Sequence, residues 1–243
     1  MRHIIQADFV GMSAAVTARG QALGITCSGT YGSSELYALM SLHDWQAPVA
    51  QRGLAGGVPL DPHIHIRVAD PEDGRVLADN EPGELQVQGP NMLVCYLNNP
   101  EASAKAFTAD GWFRTGDAGR MQEDGHLFIV DRLKDMIISG GENVYCTEVE
   151  SVLRAHPQVT QVAVIGLPDP KWGEAVHAVV VLRAGAYAAS PTLAEELRAH
   201  CQTQLAGYKC PRSFRFVAEL PMSAAGKILK NVLRDQARPE SKP

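Results

Sequence analysis

The hydrophobic pattern of this 243-residue chain changes character at residues 131–134, and that break limits the folds open to it. Between Gly53 and Asp131 the apolar residues come in short runs, His63–Val68, Gly83–Gly89 and His126–Val130. Turn clusters such as Asp70-Pro-Glu-Asp-Gly74 and Glu123-Asp-Gly125 separate them. Alternation with period two and Gly/Asp punctuation predict strands. After Arg132 the periods mix. Met136–Ile138 runs into a Gly-Gly turn, and Thr147–His156 places Val149, Val152 and Leu153 on one helical face. Thr147 and Glu150 have the spacing of a capping box. Strands are expected at Gln161–Ile165, Ala175–Leu182 and Arg212–Val217, and helices at Pro191–Leu205 and Ile228–Gln236. Ahead of the β-rich stretch, Ser13–Leu23 reads as a helix and Gly24–Ser28 as a short strand. The break carries no Gly/Ser-rich segment, so it predicts a short hinge between two units, 1–132 and 133–243.

Composition narrows the function. With 45% hydrophobic and 20% charged residues the chain builds a core. No apolar run approaches the ~18 residues a spanning helix needs, and Asp8 comes too early for a secretory leader. The net charge of −5 argues against general nucleic-acid binding. The charge is uneven: 9 Lys/Arg stand against 16 Asp/Glu up to residue 132, and 13 against 11 beyond it. Lys209, Arg212, Arg215, Lys227, Lys230 and Arg234 gather around Glu219 alone, a field suited either to a small polyanion or to a solvated basic face. The five cysteines show no paired spacing and fit reduced thiols of the cytoplasm. His63 and His65 lack the partners of a metal site.

Four segments bear chemistry. Thr30-Tyr-Gly-Ser-Ser-Glu35 has the form Tyr-Gly-x-Ser/Thr-Glu, and Gly111-Trp-Phe-Arg-Thr-Gly-Asp117 the form Trp-x-Arg-Thr-Gly-Asp. Asp131-Arg-Leu-Lys-Asp135 leads into Ser139-Gly-Gly141, and Pro221-Met-Ser-Ala-Ala-Gly-Lys227 has the form Pro-x-x-x-x-Gly-Lys. Each alone is an ordinary turn. Together, in this order and across nearly the whole chain, they resemble the adenylate-forming superfamily of acyl-CoA synthetases, luciferases and peptide-synthetase adenylation domains. Met136–Val144, Gly173–Val176 and Leu205–Pro211 lean toward the acyl-CoA synthetases.

The resemblance implies the fold and the roles. The fold is α/β and α+β: residues 1–132 end the large AMP-binding domain, as a partial α/β piece plus a distorted β-barrel subdomain. A small α+β C-terminal domain follows over 133–243. ATP, Mg2+ and CoA are the implied cofactors and co-substrates, with a carboxylic or fatty acid as substrate. Tyr31, Gly32 and Ser34 would line the adenine and phosphate, Asp117 and Arg132 would bind the ribose, and Glu35 would hold Mg2+. Lys227 would act in catalysis, where an ammonium placed between two anions stabilises the charge of the transition state. Lys134 takes the hinge position, and Ser139, Gly140 and Gly141 would flank the pantetheine arm of CoA, where glycine permits close approach.

The departures carry equal weight. No Ser/Thr/Gly-rich phosphate loop ending in Pro-Lys-Gly stands ahead of Tyr31, so the resemblance covers only the C-terminal half of a synthetase. Cys95 and Cys146 stand where Gly and Pro are common. Turnover is therefore expected to need the N-terminal half, as a partner or in a parent polypeptide; a second copy of the chain is the other partner considered. The alternative is a truncated remnant that binds nucleotide or CoA without turnover. Residues 1–50 are expected to expose an apolar edge.

Overall fold

The computed structural model describes residues 3–7, 13–183, 190–224 and 226–237. They divide into two units, Met1–Leu133 and Lys134–Pro243.

The first unit holds β1 (His3–Gln6), α1 (Ser13–Ala22), β2 (Thr26–Tyr31), β3 (Ser41–Leu42), α2 (Val49–Arg52), β4 (Gly56–Pro59), β5 (His65–Ala69), β6 (Gly83–Gln88), α3 (Pro100–Lys105), β7 (Phe113–Met121) and β8 (Leu127–Arg132). The strands form one sheet in the order β1-β2-β3-β4-β8-β7-β6-β5. Its β1–β2 end is parallel and the remaining pairings are antiparallel. Leu36, Met40, Val68, Leu85, Val87, Phe113 and Leu127 fill the core beneath the antiparallel part. The parallel end is tied by a buried guanidinium: Arg52 donates to Cys27 O, Ala47 O and Gln21 Oε1, joining α1, β2 and α2. Ile5, Val16 and Leu23 at this end remain exposed.

The second unit holds β9 (Ile137–Ser139), β10 (Glu142–Val144), α4 (Cys146–Arg154), β11 (Val159–Asp169), β12 (Gly173–Leu182), α5 (Pro191–Gln202), β13 (Ser213–Val217) and α6 (Lys230–Ala237). Its sheet runs β10-β9-β12-β11, with β13 pairing parallel to β12. The long apolar runs of β11 and β12 are explained by coverage of both faces. Val162, Val164, Val176, Ala178 and Val180 pack with Val149 and Leu153 of α4 and Leu193 and Leu197 of α5. Ala163, Ile165 and Val179 pack with Leu233 of α6 and with Leu220, which follows β13. The alternation is simply hidden because inward and outward positions are both apolar.

Boundaries differ from expectation in informative places. α4 begins at Cys146 with Tyr145 as its N-cap, so Thr147 lies inside the first turn. The carboxylate of Glu150 turns to β11 and accepts from Val164 N at 2.8 Å. β11 runs on past Ile165 to Asp169, and Phe113–Met121 is a strand that the periodicity did not announce.

Candidate functional site

In the first unit, three of the singled-out residues converge. β2 ends at Tyr31, whose hydroxyl donates to Asp117 Oδ2 at 2.6 Å across 86 residues of sequence. Asp117 lies opposite Arg132 in the β7–β8 ladder, and Arg132 Nε stands 3.5 Å from Asp117 Oδ1. The Asp117 side chain is 13% exposed and that of Arg132 50%. Gly116, at φ +69° inside β7, gives the strand a left-handed step just before Asp117. Thr115 Oγ1 braces it, donating to Leu85 O and accepting from Asp117 N. Burial, and then the adjacent Asp117 carboxylate, push the Tyr31 phenol well above its ordinary value. The phenol therefore stays a donor, and the carboxylate is held between a donor and a cation.

After Tyr31 the chain makes a tight loop. A Cβ on Gly32 would stand 1.9 Å from Ala38 O, so only glycine allows the two backbones this close. Ala38 N donates to Ser33 O, and Tyr37 and Ala38 are left-handed at φ 54° and 75°. Buried Leu36 plugs the loop into the core, which leaves Ser34 exposed and Glu35 half-buried. Residues 91–96 brace the loop from the side. Leu93 N donates to Glu35 O, and Tyr96 OH donates to Glu35 Oε1 at 3.3 Å. Burial, then Glu35, raise the pKa of Tyr96. Among the described residues no cluster of three or more His, Cys, Asp or Glu could hold a metal. A single half-exposed carboxylate still fits Mg2+, which commonly takes one or two protein oxygens and fills its shell with phosphate and water.

In the second unit the candidate residues sit on turns. Ser139, Gly140, Gly141 and Glu142 form a two-residue hairpin between β9 and β10, with φ +64° and +85° at the glycines. Gly140 N donates to Trp172 O at 2.8 Å, and a Cβ on Gly140 would stand 2.9 Å from the Trp172 ring. Ser139 is 1% exposed, and its hydroxyl has no hydrogen-bond partner among the described residues. The guanidinium of Arg212 lies 4.1 Å from the centroid of the Trp172 ring.

Lys227 is exposed on a second hairpin. Ser223 closes it, donating its N–H to Lys227 O at 2.8 Å and accepting from Lys227 N at its hydroxyl. Gly226, at φ +75°, makes the turn, and a Met222–Ile228 bridge seals the base. Ala225 of this motif lies outside the described residues. Behind the hairpin, Lys230 Nζ pairs with Glu150 Oε1 at 2.8 Å and Arg234 with Asp135 at 2.8 Å, fastening α6. Lys134 lies in the short 3-10 turn Leu133–Asp135.

Sequence patterns named Tyr31, Asp117 and Arg132 but not their mutual contact. They missed Tyr96 and Trp172, whose only signal was nearness to a motif.

Residues 10–97 match the AMP-binding enzyme family and residues 148–227 the AMP-binding enzyme C-terminal domain. The chain is 45% identical to feruloyl-CoA synthase from an Amycolatopsis species over 204 residues, 84% of this chain and 40% of that protein. It is 43% identical to 2-succinylbenzoate–CoA ligase of Geobacillus kaustophilus over 211 residues, 87% of this chain and 41% of the relative. The solved o-succinylbenzoate CoA synthetase of Bacillus subtilis, in complex with its acyl-adenylate intermediate, matches at TM-score 0.85 and 36% identity. That match covers 98% of this chain and 46% of the other. The chain thus spans about two fifths of the length of these curated relatives. No helix among the described residues is long and apolar enough to cross a membrane.

Proposed function

Since this chain belongs to the adenylate-forming, AMP-binding enzyme family, we propose that it supplies the ribose site and the small C-terminal domain of an acyl-CoA ligase. The reaction has two steps. A carboxylate oxygen attacks the α-phosphorus of ATP, forming the acyl-adenylate and releasing diphosphate. The thiolate of CoA then attacks the acyl carbon, forming the thioester and releasing AMP.

The observation that carries this reading is the Tyr31–Asp117–Arg132 convergence. A carboxylate acceptor suits two vicinal hydroxyls, and Arg132 stands beside it as a counter-charge. Tyr31 then lies beside the base, with Gly32 and Ser34 near the phosphates. Glu35 would hold Mg2+, which when bound neutralises phosphate charge. Lys227 contributes a compact positive charge to the first step. Ser139, Gly140 and Gly141 admit the pantetheine arm in the second, and Lys134 is the pivot between the two tasks. The phosphate loop and much of the acyl pocket would come from an N-terminal half of the family.

Calorimetric titration with AMP tests the ribose site in this chain alone. Asp117→Asn should weaken binding roughly 10- to 100-fold, the worth of hydrogen bonds to a charged acceptor. Unchanged affinity would sink the assignment. ATP–diphosphate exchange and thioester formation, with and without an added N-terminal half, test turnover. Nucleotide binding with no turnover in either condition would favour a remnant that only binds.

A further inference from the structure

The Ser139–Gly141 turn has little ladder of its own. β9 is three residues long and meets β12 at one register pair, Ser139 with Gly173. The rest of its hold on β12 comes from the two residues flanking Gly173. Trp172 O accepts from Gly140 N, and the Glu174 side chain accepts from Ile138 N at 3.0 Å through Oε2. Three consecutive residues, 172–174, therefore grip three consecutive residues, 138–140. Of the two hydrogen bonds named, that to Glu174 is the one made to a side chain.

The carboxylate is seated deliberately. A Cβ on Gly166 of β11 would stand 2.7 Å from Glu174 Oε1 and 2.9 Å from its carboxyl carbon, so glycine there keeps the seat open. Ile138 is 51% exposed, and water competes for its N–H whenever the carboxylate moves away. A carboxylate acceptor makes a stronger bond than a neutral one, which suits an exposed attachment point.

We propose that Glu174 is a positioning residue for the thiol-accepting step: by holding Ile138 N–H it fixes the turn that admits the pantetheine arm. The inference rests on the ligase reading of that turn. Misplacing such an element by about 1 Å costs rate while leaving chemistry elsewhere intact. What the turn needs from residue 174 is a hydrogen-bond acceptor, and a neutral amide supplies one.

Two readouts test it. The first is amide hydrogen exchange by NMR on this chain, comparing Ile138 and Gly140 with Ala163 and Val179 in the β11–β12 ladder. The second, with an added N-terminal half, compares thioester formation from preformed acyl-adenylate and CoA with ATP–diphosphate exchange. Glu174→Ala should speed exchange at Ile138 and Gly140 by roughly tenfold while sparing the ladder. It should also lower the thioester rate and leave diphosphate exchange unchanged. Gly166→Ala, which evicts the carboxylate, should do the same, and Glu174→Gln should restore both readouts.

Protected amides in Glu174→Ala would overturn the proposal, as would Glu174→Gln failing like Glu174→Ala. Equal losses in both half-reactions would reduce Glu174 to general stability and overturn it too. If the unaltered chain forms no thioester, the ligase reading fails, while amide exchange still decides the clamp.

Discussion

The two units build their candidate sites by different means. In the first, side chains from three distant segments meet: Tyr31, Asp117 and Arg132 form a chain of hydrogen bond and ion pair around one carboxylate. In the second, the backbone does the shaping, through hairpins at Gly140-Gly141 and Gly226. A site made of side chains is fixed by the packing beneath it, and single substitutions there remove one function at a time. A site made of turns is fixed by φ angles and a few anchoring contacts, so its weak points lie in the anchors. Substitutions that separate packing from turn geometry test this contrast.

The largest effect is expected at Gly32→Ala. The new methyl would need to share space with Ala38 O, and neither backbone segment is free to move, because Leu36 is fully buried and Met40 N is bonded to Tyr31 O. A loss of about 4 kcal/mol is expected in the first unit, read by urea unfolding through Trp45 and Trp112 in a Trp172→Phe background. A loss near that of an ordinary surface change would show the loop to be far softer than its geometry.

Lys230→Met comes next, in the second unit. It leaves the Glu150 carboxyl buried without its lysine, with Val164 N as a remaining partner, the Glu150 and Lys230 side chains being 9% and 13% exposed. Breaking such a pair costs about 3 kcal/mol. Trp172 fluorescence should report it, and Glu150→Gln added to Lys230→Met should recover part of the loss. No recovery would mean that α6 is held mainly by Leu233 and Arg234.

What the sequence disclosed follows the same division. The apolar runs of β11 and β12 and the helical stripe of α4 were legible because burial on a regular element leaves a period. β7 was not legible: only Phe113, Ala118 and Gly119 of its nine residues are buried, and Gly116 interrupts the alternation. Arg52 and His43 were invisible as core residues, since nothing local marks a charged or polar side chain whose partners lie 25 residues away or are aromatic rings. The candidate motifs were legible as strings, but the Tyr31–Asp117 bond was not, because register across β2, β7 and β8 is a property of the whole sheet. Glu174 was noticed only as part of a motif; its use depends on the space left by Gly166.

His43 gives the first unit a pH dependence that the comparison can use. Its ring is fully buried against Phe128 and His126, and among the described residues neither ring nitrogen has a hydrogen-bond partner. Burial first, then the charge of His126, lower its pKa from 6.5 to about 4. Asp124, 3.1 Å from His126, is the nearby anion. Between pH 6.5 and 4 the unfolded chain binds a proton that the folded unit refuses. The stability is thus complete above pH 6.5 and falls as pH drops toward 4, by up to about 3 kcal/mol. His43→Leu should flatten that slope in the first unit and leave the Trp172 transition unaltered. Urea midpoints at pH 7.5 and 4.5 measure it, and an unchanged slope would assign the acid sensitivity to other groups.

The smallest expected effect is the one that best separates backbone from packing. A Cβ on Gly141 meets nothing within 4 Å, yet the residue sits at φ +85°. Gly141→Ala therefore adds no collision and should cost only the left-handed strain, about 1 kcal/mol. Gly140→Ala adds the same strain and a contact of 2.9 Å with the Trp172 ring, so it should cost more and should also loosen the Gly140 amide. If the two variants prove equal, the Trp172 ring yields to the added methyl, and the left-handed φ angles account for the whole loss. If Gly140→Ala is the costlier and its extra loss disappears in a Trp172→Ala background, the extra loss is the collision with the ring, and the ring limits what residue 140 can be. The backbone-built site then depends on the Trp172 ring as well as on the Glu174 carboxylate, and the distinction between the two units becomes one of degree.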